Sequence, residues 1–357
     1  MRILIVGFAK IKYMPYLDLY LDNLDRVGND IHLVYWNRDL KGENLSRLEG
    51  IALHEFASYQ EDDVAKLSKL DGFKKFRDYA VSVLKEGFDF VIVLHSLPAV
   101  LLSKELTSQY RGRYIFDYRD FTYESFFLYK SIIHTLVNNS YKTFVSSDAF
   151  RAFLPESKKI QTSHNISAKD FEAAEAISKN PSEKIRIGFW GFIREEGLNL
   201  QLIKAFANDE RFELHYYGRE QDVCRHLKEY ASENASNVYF HGEYTPEEKI
   251  DFVKNTDLLH NIYGGNNMRL AVSNKYYDGL IFEIPQLVMK GSYMGVLVTD
   301  NGTGKALDPR DENFADMVFE YYSSINQNDF KSNCRKASDK VKAQQTLVWE
   351  EVKKISE

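Results

Sequence analysis

Cysteine is nearly absent from this chain. Cys224 and Cys334 are the only two in 357 residues, far apart and without metal-ligand spacing. That excludes a disulfide framework, and both are read as reduced thiols that pack rather than react. An excess of basic charge is also missing. The formal net charge is −6, which argues against a general nucleic-acid binder, since such a protein needs a basic field to displace counterions. Long apolar runs are lacking too, with no stretch near the ~20 residues that a spanning helix requires. The opening run Met1 to Gly7 is too short for a signal peptide, and Lys10 and Lys12 follow at once. A cytoplasmic protein is expected, at most peripheral on the inner face of the membrane.

Three ligand motifs are missing as well. A dinucleotide fingerprint would place Gly-x-Gly-x-x-Gly after the first strand, yet Gly7 stands alone before Phe8-Ala9-Lys10. The segment Gly302-Thr303-Gly304-Lys305 resembles the end of a P-loop but lacks the upstream glycine and a following Ser or Thr. No Asp-x-Asp triplet occurs, so the paired carboxylates that commonly hold a nucleotide diphosphate through a divalent ion are not available. No metal and no resident cofactor are expected. A diphosphate would then have to be neutralised by Arg, Lys and helix N-termini.

What the sequence does contain is a mixture of 44% hydrophobic and 27% charged residues, typical of a globular protein. The length suits two domains. Aromatic content is 14%; a large aromatic core explains it, and rings facing a sugar or a lipid interface are the alternative. Strands are expected at Ile3 to Val6, Ile31 to Tyr35, Phe90 to Leu94, Tyr114 to Phe116 and Thr143 to Val145. Helices fall between them at Tyr16 to Val27, Asp62 to Leu70 and Tyr123 to Val137. Continuous apolar runs such as Phe90-Val91-Ile92-Val93-Leu94 are what buried parallel strands look like. The alternation restarts with strands at Ile185 to Phe189, Phe212 to Tyr216, Val238 to Phe240, Leu258 to Ile262 and Gln286 to Met289. It includes a helix at Leu198 to Ala207 and a helix start at Thr245-Pro246-Glu247-Glu248.

The expected fold class is therefore α/β, with two Rossmann-like doubly wound domains facing a cleft. Residues 1–170 form the first domain, 171–184 a linker, 185–328 the second domain, and 329–357 a long helix that returns to brace the first. Ligands in open α/β sheets bind beyond the carboxyl ends of the strands. That rule selects His95, Asp117, Arg119 and Asp120 in the first domain. In the second it selects Gly191, Arg194, Gly218, Arg219, His260, Asn261 and Tyr263. Arg194 and Lys275 are suited to a diphosphate, with ordinary surface charge as the bland alternative. His95 is open to two readings, a satisfied histidine at a strand end or a catalytic base. Asp117, Arg119 and Asp120 likewise suit either an internal ion-pair network or a site.

The run Ile185 to Arg194 followed by Leu200 to Phe206 resembles the opening of the donor domain in family-4-like glycosyltransferases. Phe240-His241-Gly242-Glu243-Tyr244-Thr245-Pro246 resembles their next strand-to-helix step. Ser273-Asn274-Lys275-Tyr276-Tyr277-Asp278-Gly279-Leu280, running on to Leu287, is similar to the "PNKLYEYLAAGKPVI" segment of capsular and cell-surface polysaccharide transferases. Tyr114 to Asp120 and Phe144 to Ser147 resemble first-domain elements of the same enzymes.

The resemblance implies the GT-B architecture and transfer of a sugar from a nucleoside-diphosphate donor to a hydroxyl of a polysaccharide or lipid-linked oligosaccharide. It implies a donor site of Gly191, Arg194, Gly218, Arg219, His260, Asn261, Tyr263, Ser273, Asn274, Lys275 and Asp278. In it Asp278 accepts the ribose hydroxyls, and Arg194 and Lys275 stabilise the leaving diphosphate. His95, Asp117, Arg119 and Asp120 fall on the acceptor side, where His95, Asp117 or Asp120 would supply the base that inversion needs. Two positions depart from the family pattern. Leu270 replaces the first Glu of an E-x7-E pair, and Glu196-Gly197 stands where Lys-Gly is usual. Two alternatives follow: a sugar-nucleotide epimerase of the same fold, or a non-catalytic sugar-nucleotide-binding subunit of a transferase complex. The cluster Phe121 to Tyr129, with Lys130 and Ile132-Ile133, suits peripheral membrane contact; a buried amphipathic helix is the competing reading.

Overall fold

The computed structural model describes residues 1–60, 69–166, 168–175, 177–220, 223–245 and 248–357. The chain divides into two units, Met1–Asn165 with Ala343–Glu357, and Ile166–Lys342.

The first unit is built on β1 (Arg2–Val6), β2 (Asp30–Asn37), β3 (Ala52–Ala57), β4 (Phe90–Leu94), β5 (Tyr114–Tyr118), β6 (Lys142–Val145) and β7 (Ile160–Thr162). They pair in the order β3-β2-β1-β4-β5-β6-β7, all parallel. β4 and β5 are buried along their whole length, as expected of strands covered on both faces. The edge strands β3 and β7 have no continuous apolar run, and nothing in the local pattern announces them.

The helix expected over Tyr16 to Val27 is much shorter. A 3₁₀ turn at Pro15–Leu17 leads into a helix of four residues, Asp18–Leu21. The Asp25 carboxylate stops it by accepting from the backbone N–H of Val27 at 2.9 Å and Gly28 at 3.2 Å, a local turn that competes with the helix. Leu17, Tyr20, Leu21 and Leu24 are nonetheless all buried. The helix expected at Asp62 to Leu70 lies outside the described residues as far as 68, and a helix at Leu70–Leu84 follows.

The second unit carries β8 (Ile185–Trp190), β9 (Phe212–Tyr217), β10 (Val238–Phe240), β11 (Leu258–Asn261), β12 (Gln286–Met289) and β13 (Gly304–Leu307), in the parallel order β10-β9-β8-β11-β12-β13. Part of the expected linker is ordered. A helix spans Ala168–Glu175, and Lys179 Nζ donates to the carbonyls of Val253 and Thr256, each at 2.7 Å, fastening that stretch to the second unit. At the helix start read from Thr245, Pro246 and Glu247 lie outside the described residues. Glu248 accepts from the Thr245 N–H at 2.6 Å, and the helix Lys249–Lys254 follows, one half of a capping box.

The terminal helix Gln327–Ser356 has 30 residues. Ala337 and Val341 pack in a core of the second unit, whereas Val348, Val352 and Ile355 pack in the core of the first. Gln344 and Gln345 interrupt the apolar stripe because they serve His164. Gln345 Oε1 accepts its backbone N–H at 2.6 Å, and Gln344 Oε1 lies 2.8 Å from its Nε2.

Candidate functional site

Beyond the carboxyl ends of β8 and β9, two glycines bring their loops together. Gly191 has φ +124° and Gly218 φ +139°, and a Cβ on Gly218 would fall 1.8 Å from the Gly191 carbonyl oxygen. No residue with a side chain fits there. The ground they clear is next to Lys275, whose Nζ lies 3.5 Å from where a Gly191 Cβ would be.

Lys275 is in the first turn of the helix Asn274–Ile281 and is 4% exposed. Its Nζ donates to the Trp190 carbonyl at 2.9 Å and to the Tyr263 hydroxyl. It also lies 4.1 Å from the Phe189 ring centroid and 4.8 Å from that of Tyr263, so aromatic faces replace part of the lost hydration. Burial lowers its pKa to about 7, with Asp278 pulling upward and Arg194 downward. Asp278 follows almost one turn later and is 6% exposed. One of its oxygens accepts from Trp190 Nε1 at 2.7 Å and the other pairs with Lys249. The Tyr263 hydroxyl is pushed well above the ordinary tyrosine range by burial, with Arg194 opposing. Arg194 is exposed, with its guanidinium 5.2 Å from the Phe192 ring; Arg219 shares the same ring at 5.4 Å.

The structure thus gathers Gly191, Arg194, Gly218, Arg219, Tyr263, Lys275 and Asp278. The remaining donor-side candidates sit differently. His260 is 1% exposed against Phe189 and Tyr216, its Nδ1 accepting the Ile262 N–H at 3.2 Å. Burial, with Lys275 nearby, pushes its pKa to about 3 and keeps it neutral. Asn261 is fully buried, accepting from Ser273 Oγ at 2.6 Å and donating to Gln286 Oε1 at 3.1 Å. His260, Asn261 and Ser273 therefore shape the strand end from within, while Asn274 is exposed at the helix start.

Three participants were not singled out from sequence. Trp190 and Lys249 hold Asp278. Glu195, at φ +68°, accepts the Gly264 N–H at 2.6 Å and fixes the loop after β11. A buried indole N–H needs an acceptor, so Trp190 carried a usable signal. Lys249 and Glu195 carried none, because each acts through a partner distant in sequence. Glu196 lies 3.1 Å from His226 Nδ1. Beside Tyr263, a cavity of about 460 Å³ opens to Gly197, Gly265, Arg269, Lys290 and Arg310. Among the described residues, no group of three His, Cys, Asp or Glu side chains placed to share an ion falls in this site.

In the first unit, β4 and β5 bring the other four candidates to one end of the sheet. Asp117 is completely buried. Its Oδ2 accepts from Tyr20 Oη at 2.7 Å and Arg119 Nη2 at 2.9 Å, and Arg119 Nε lies 2.6 Å from Oδ1. This pair is internal, and Asp117 has no free face from which to take a proton. His95 and Asp120 are more open, with Nδ1 and Oδ2 3.4 Å apart. His95 is held at φ +83°, a conformation rare for a residue with a side chain and frequent at functional sites. Burial lowers its pKa. At the start of the helix Phe127–Asn139, Phe126, Phe127 and Leu128 are 67%, 82% and 76% exposed, while Ile133 is buried.

No family model and no curated protein matches the chain. Solved structures match along its length. Sucrose-phosphate synthase from Thermosynechococcus elongatus superposes with a TM-score of 0.69 at 11% identity, covering 99% of this chain and 96% of that one. HepE of Anabaena, in complex with UDP, gives 0.69 at 12% identity, covering 99% of each. A glycosyltransferase from Rickettsia africae gives 0.65 at 14% identity, covering 99% and 98%. At such identities the likeness defines architecture. The chain has the GT-B fold, with two Rossmann-like units of parallel sheet and flanking helices.

Proposed function

We propose that the protein is a glycosyltransferase that moves a sugar from a nucleoside diphosphate to a hydroxyl of a polysaccharide or lipid-linked oligosaccharide, without a metal ion. One observation carries the reading. Lys275 and Asp278, on one helix, are both withdrawn from water and converge with Tyr263, Arg194 and the bare backbone of Gly191 beyond the strand ends. A buried cation beside a buried carboxylate suits a ligand that is anionic at one end and a vicinal diol at the other.

Each oxygen of Asp278 keeps further acceptor capacity beyond its contact with Trp190 or Lys249, so ribose hydroxyls have a place to donate. Lys275 and Arg194 are assigned to the diphosphate, where positive charge stabilises the departing group as the glycosidic bond breaks. The cavity beside Tyr263 is assigned to the transferred sugar. HepE, which shares the fold, was solved with UDP, with UDP and glucose, and with UDP-glucose, so uridine donors head the list to test. In the first unit, His95 and Asp120 are the candidates for a base. The exposed Phe126-Phe127-Leu128 triplet supports peripheral contact with a membrane that carries the acceptor.

Thermal melting with a panel of nucleoside diphosphates and their sugars tests this. One base is expected to raise the melting temperature, by an amount equivalent to about 2.7 kcal/mol at a hundredfold excess over Kd. Asp278→Asn, which keeps the shape and an acceptor for Trp190, is expected to lose most of that shift. If no nucleoside diphosphate or sugar conjugate stabilises the wild-type chain, the proposal fails. Nucleotide release that is independent of any acceptor would instead favour the epimerase reading.

A further inference from the structure

At the amino end of the first sheet, opposite the strand ends that carry His95 and Asp120, two imidazoles and a carboxylate meet. His32 lies on β2, His54 on the edge strand β3, and Glu86 just beyond the helix Leu70–Leu84. One ligand-capable atom from each lies within 4.8 Å of the others. His32 Nδ1 and His54 Nε2 are 2.8 Å apart, and the rings stack with centroids separated by 5.1 Å. The strand register explains the pairing. His32 is opposite Ala52 and Val34 is opposite His54, so the alternation of side chains puts both imidazoles on one face, a single step apart.

The second nitrogen of His32 supplies an independent indication. Its Nε2 lies 2.9 Å from Asp30 Oδ2. A carboxylate in that position fixes the tautomer: Nε2 donates to Asp30, and Nδ1 presents its lone pair toward His54. The same arrangement orients histidine ligands in metal sites. Arg2 is the neighbouring cation. Its Nε donates to Asp30 at 3.1 Å, and Nη2 lies 3.5 Å from His32 Nε2 and 3.9 Å from Glu86. It therefore approaches His32 from the side that would not coordinate. Asp30, Glu86 and Asp89, the last accepting the Arg2 backbone N–H at 2.8 Å, outnumber it.

We propose that His32 Nδ1, His54 Nε2 and the Glu86 carboxylate form a zinc site with water in the fourth position. Two imidazoles and one carboxylate suit zinc better than magnesium or calcium, which prefer all-oxygen shells. Substrates of open α/β sheets bind at the opposite ends of the strands, so a structural role is assigned to the ion, with water where most structural zinc sites have a fourth protein ligand. It ties the edge strand β3 to β2 and to the end of the helix Leu70–Leu84 that follows, restraining an edge that β3 leaves unpaired on one side. The sequence shows no metal-ligand spacing because the three ligands come from three separate elements.

The test is zinc titration of the full chain after chelator treatment, with metal analysis following gel filtration and cobalt(II) as a spectroscopic stand-in. About one equivalent of tightly held zinc per chain is expected, together with a higher melting temperature. Asp30→Asn should weaken binding by about tenfold or more without removing a ligand, and His54→Ala should abolish it. Glu86 is exposed, so Glu86→Gln tests the site without threatening the fold; it should weaken zinc binding and leave the zinc-free melting temperature unchanged. Substoichiometric zinc in the wild-type chain, or unchanged binding in Glu86→Gln and His54→Ala, overturns the proposal. Neither result bears on nucleotide binding.

Discussion

Lys275 shows at single-residue resolution how the proposed site trades stability for charge. Its ordinary pKa is 10.5, and burial brings the folded value to about 7. Between those two values the unfolded chain binds more protons than the folded one, so stability rises with pH across that window. Below about pH 7 the full penalty of a buried ammonium is present. Lys275→Met should therefore be more stable than the wild type at pH 7, with the gap closing as pH approaches 10. Urea denaturation at a series of pH values reads this directly, and a pH-independent gap would show that Lys275 is not titrating in this range. Asp117 presents the opposite case, a charge buried with its partner. Arg119 and Tyr20 both donate to it, and its complete burial leaves it no open face.

Among the elements, the terminal helix has the clearest division of labour. Its first half packs with the second unit and its last turns supply Val348, Val352 and Ile355 to the core of the first. Val348 and Val352 are fully buried, so the core of the first unit is completed by residues that come last in the chain. Val352→Ala removes two buried methyl groups and is expected to destabilise the protein by about 1–3 kcal/mol. Denaturant unfolding should register this, and a loss well under 0.5 kcal/mol would mean that the helix end is not held in the core. The helix Asn274–Ile281 works by a different rule. It is short, but it presents Lys275 and Asp278 from one rigid element, which places two opposite charges more reliably than a loop would.

Across the molecule, the aromatic residues flagged by composition mostly form core. Trp36, Tyr20, Tyr110, Tyr114, Tyr118 and Tyr216 are among the largest fully buried side chains, with Tyr59, Phe126 and Phe127 among the exposed exceptions. Both cysteines are buried as well, Cys334 at 0% and Cys224 at 1% exposure, and burial pushes the Cys334 thiol up to about 12. A thiol reagent should therefore leave the native chain almost unlabelled at pH 7.5, because reaction needs an accessible thiolate. Labelling in increasing urea should follow the opening of the second unit, which holds both residues. Fast labelling without denaturant would contradict this packing.

No helix among the described residues is long and apolar enough to cross a membrane. The alternation of apolar runs with helical periodicity was sufficient to determine two parallel α/β units, because burial on both faces leaves its mark in the residues of the central strands. β4, β10 and β12 end where the pattern ends. The edge strands β3, β7 and β13 escaped, because they lack a continuous apolar run, whereas the edge strand β10 was legible. The same limit applies to the site. Glycines after strands and cations near helix starts are visible in the sequence, but the company they keep is not. That Trp190 and Lys249 hold Asp278, that Asp117 is sealed by Arg119, and that His32, His54, Asp30 and Glu86 meet was decided only in three dimensions. Most of those contacts join residues many positions apart; Asp117 and Arg119 are only two apart, and there the spacing allowed an ion pair without showing that burial would close it.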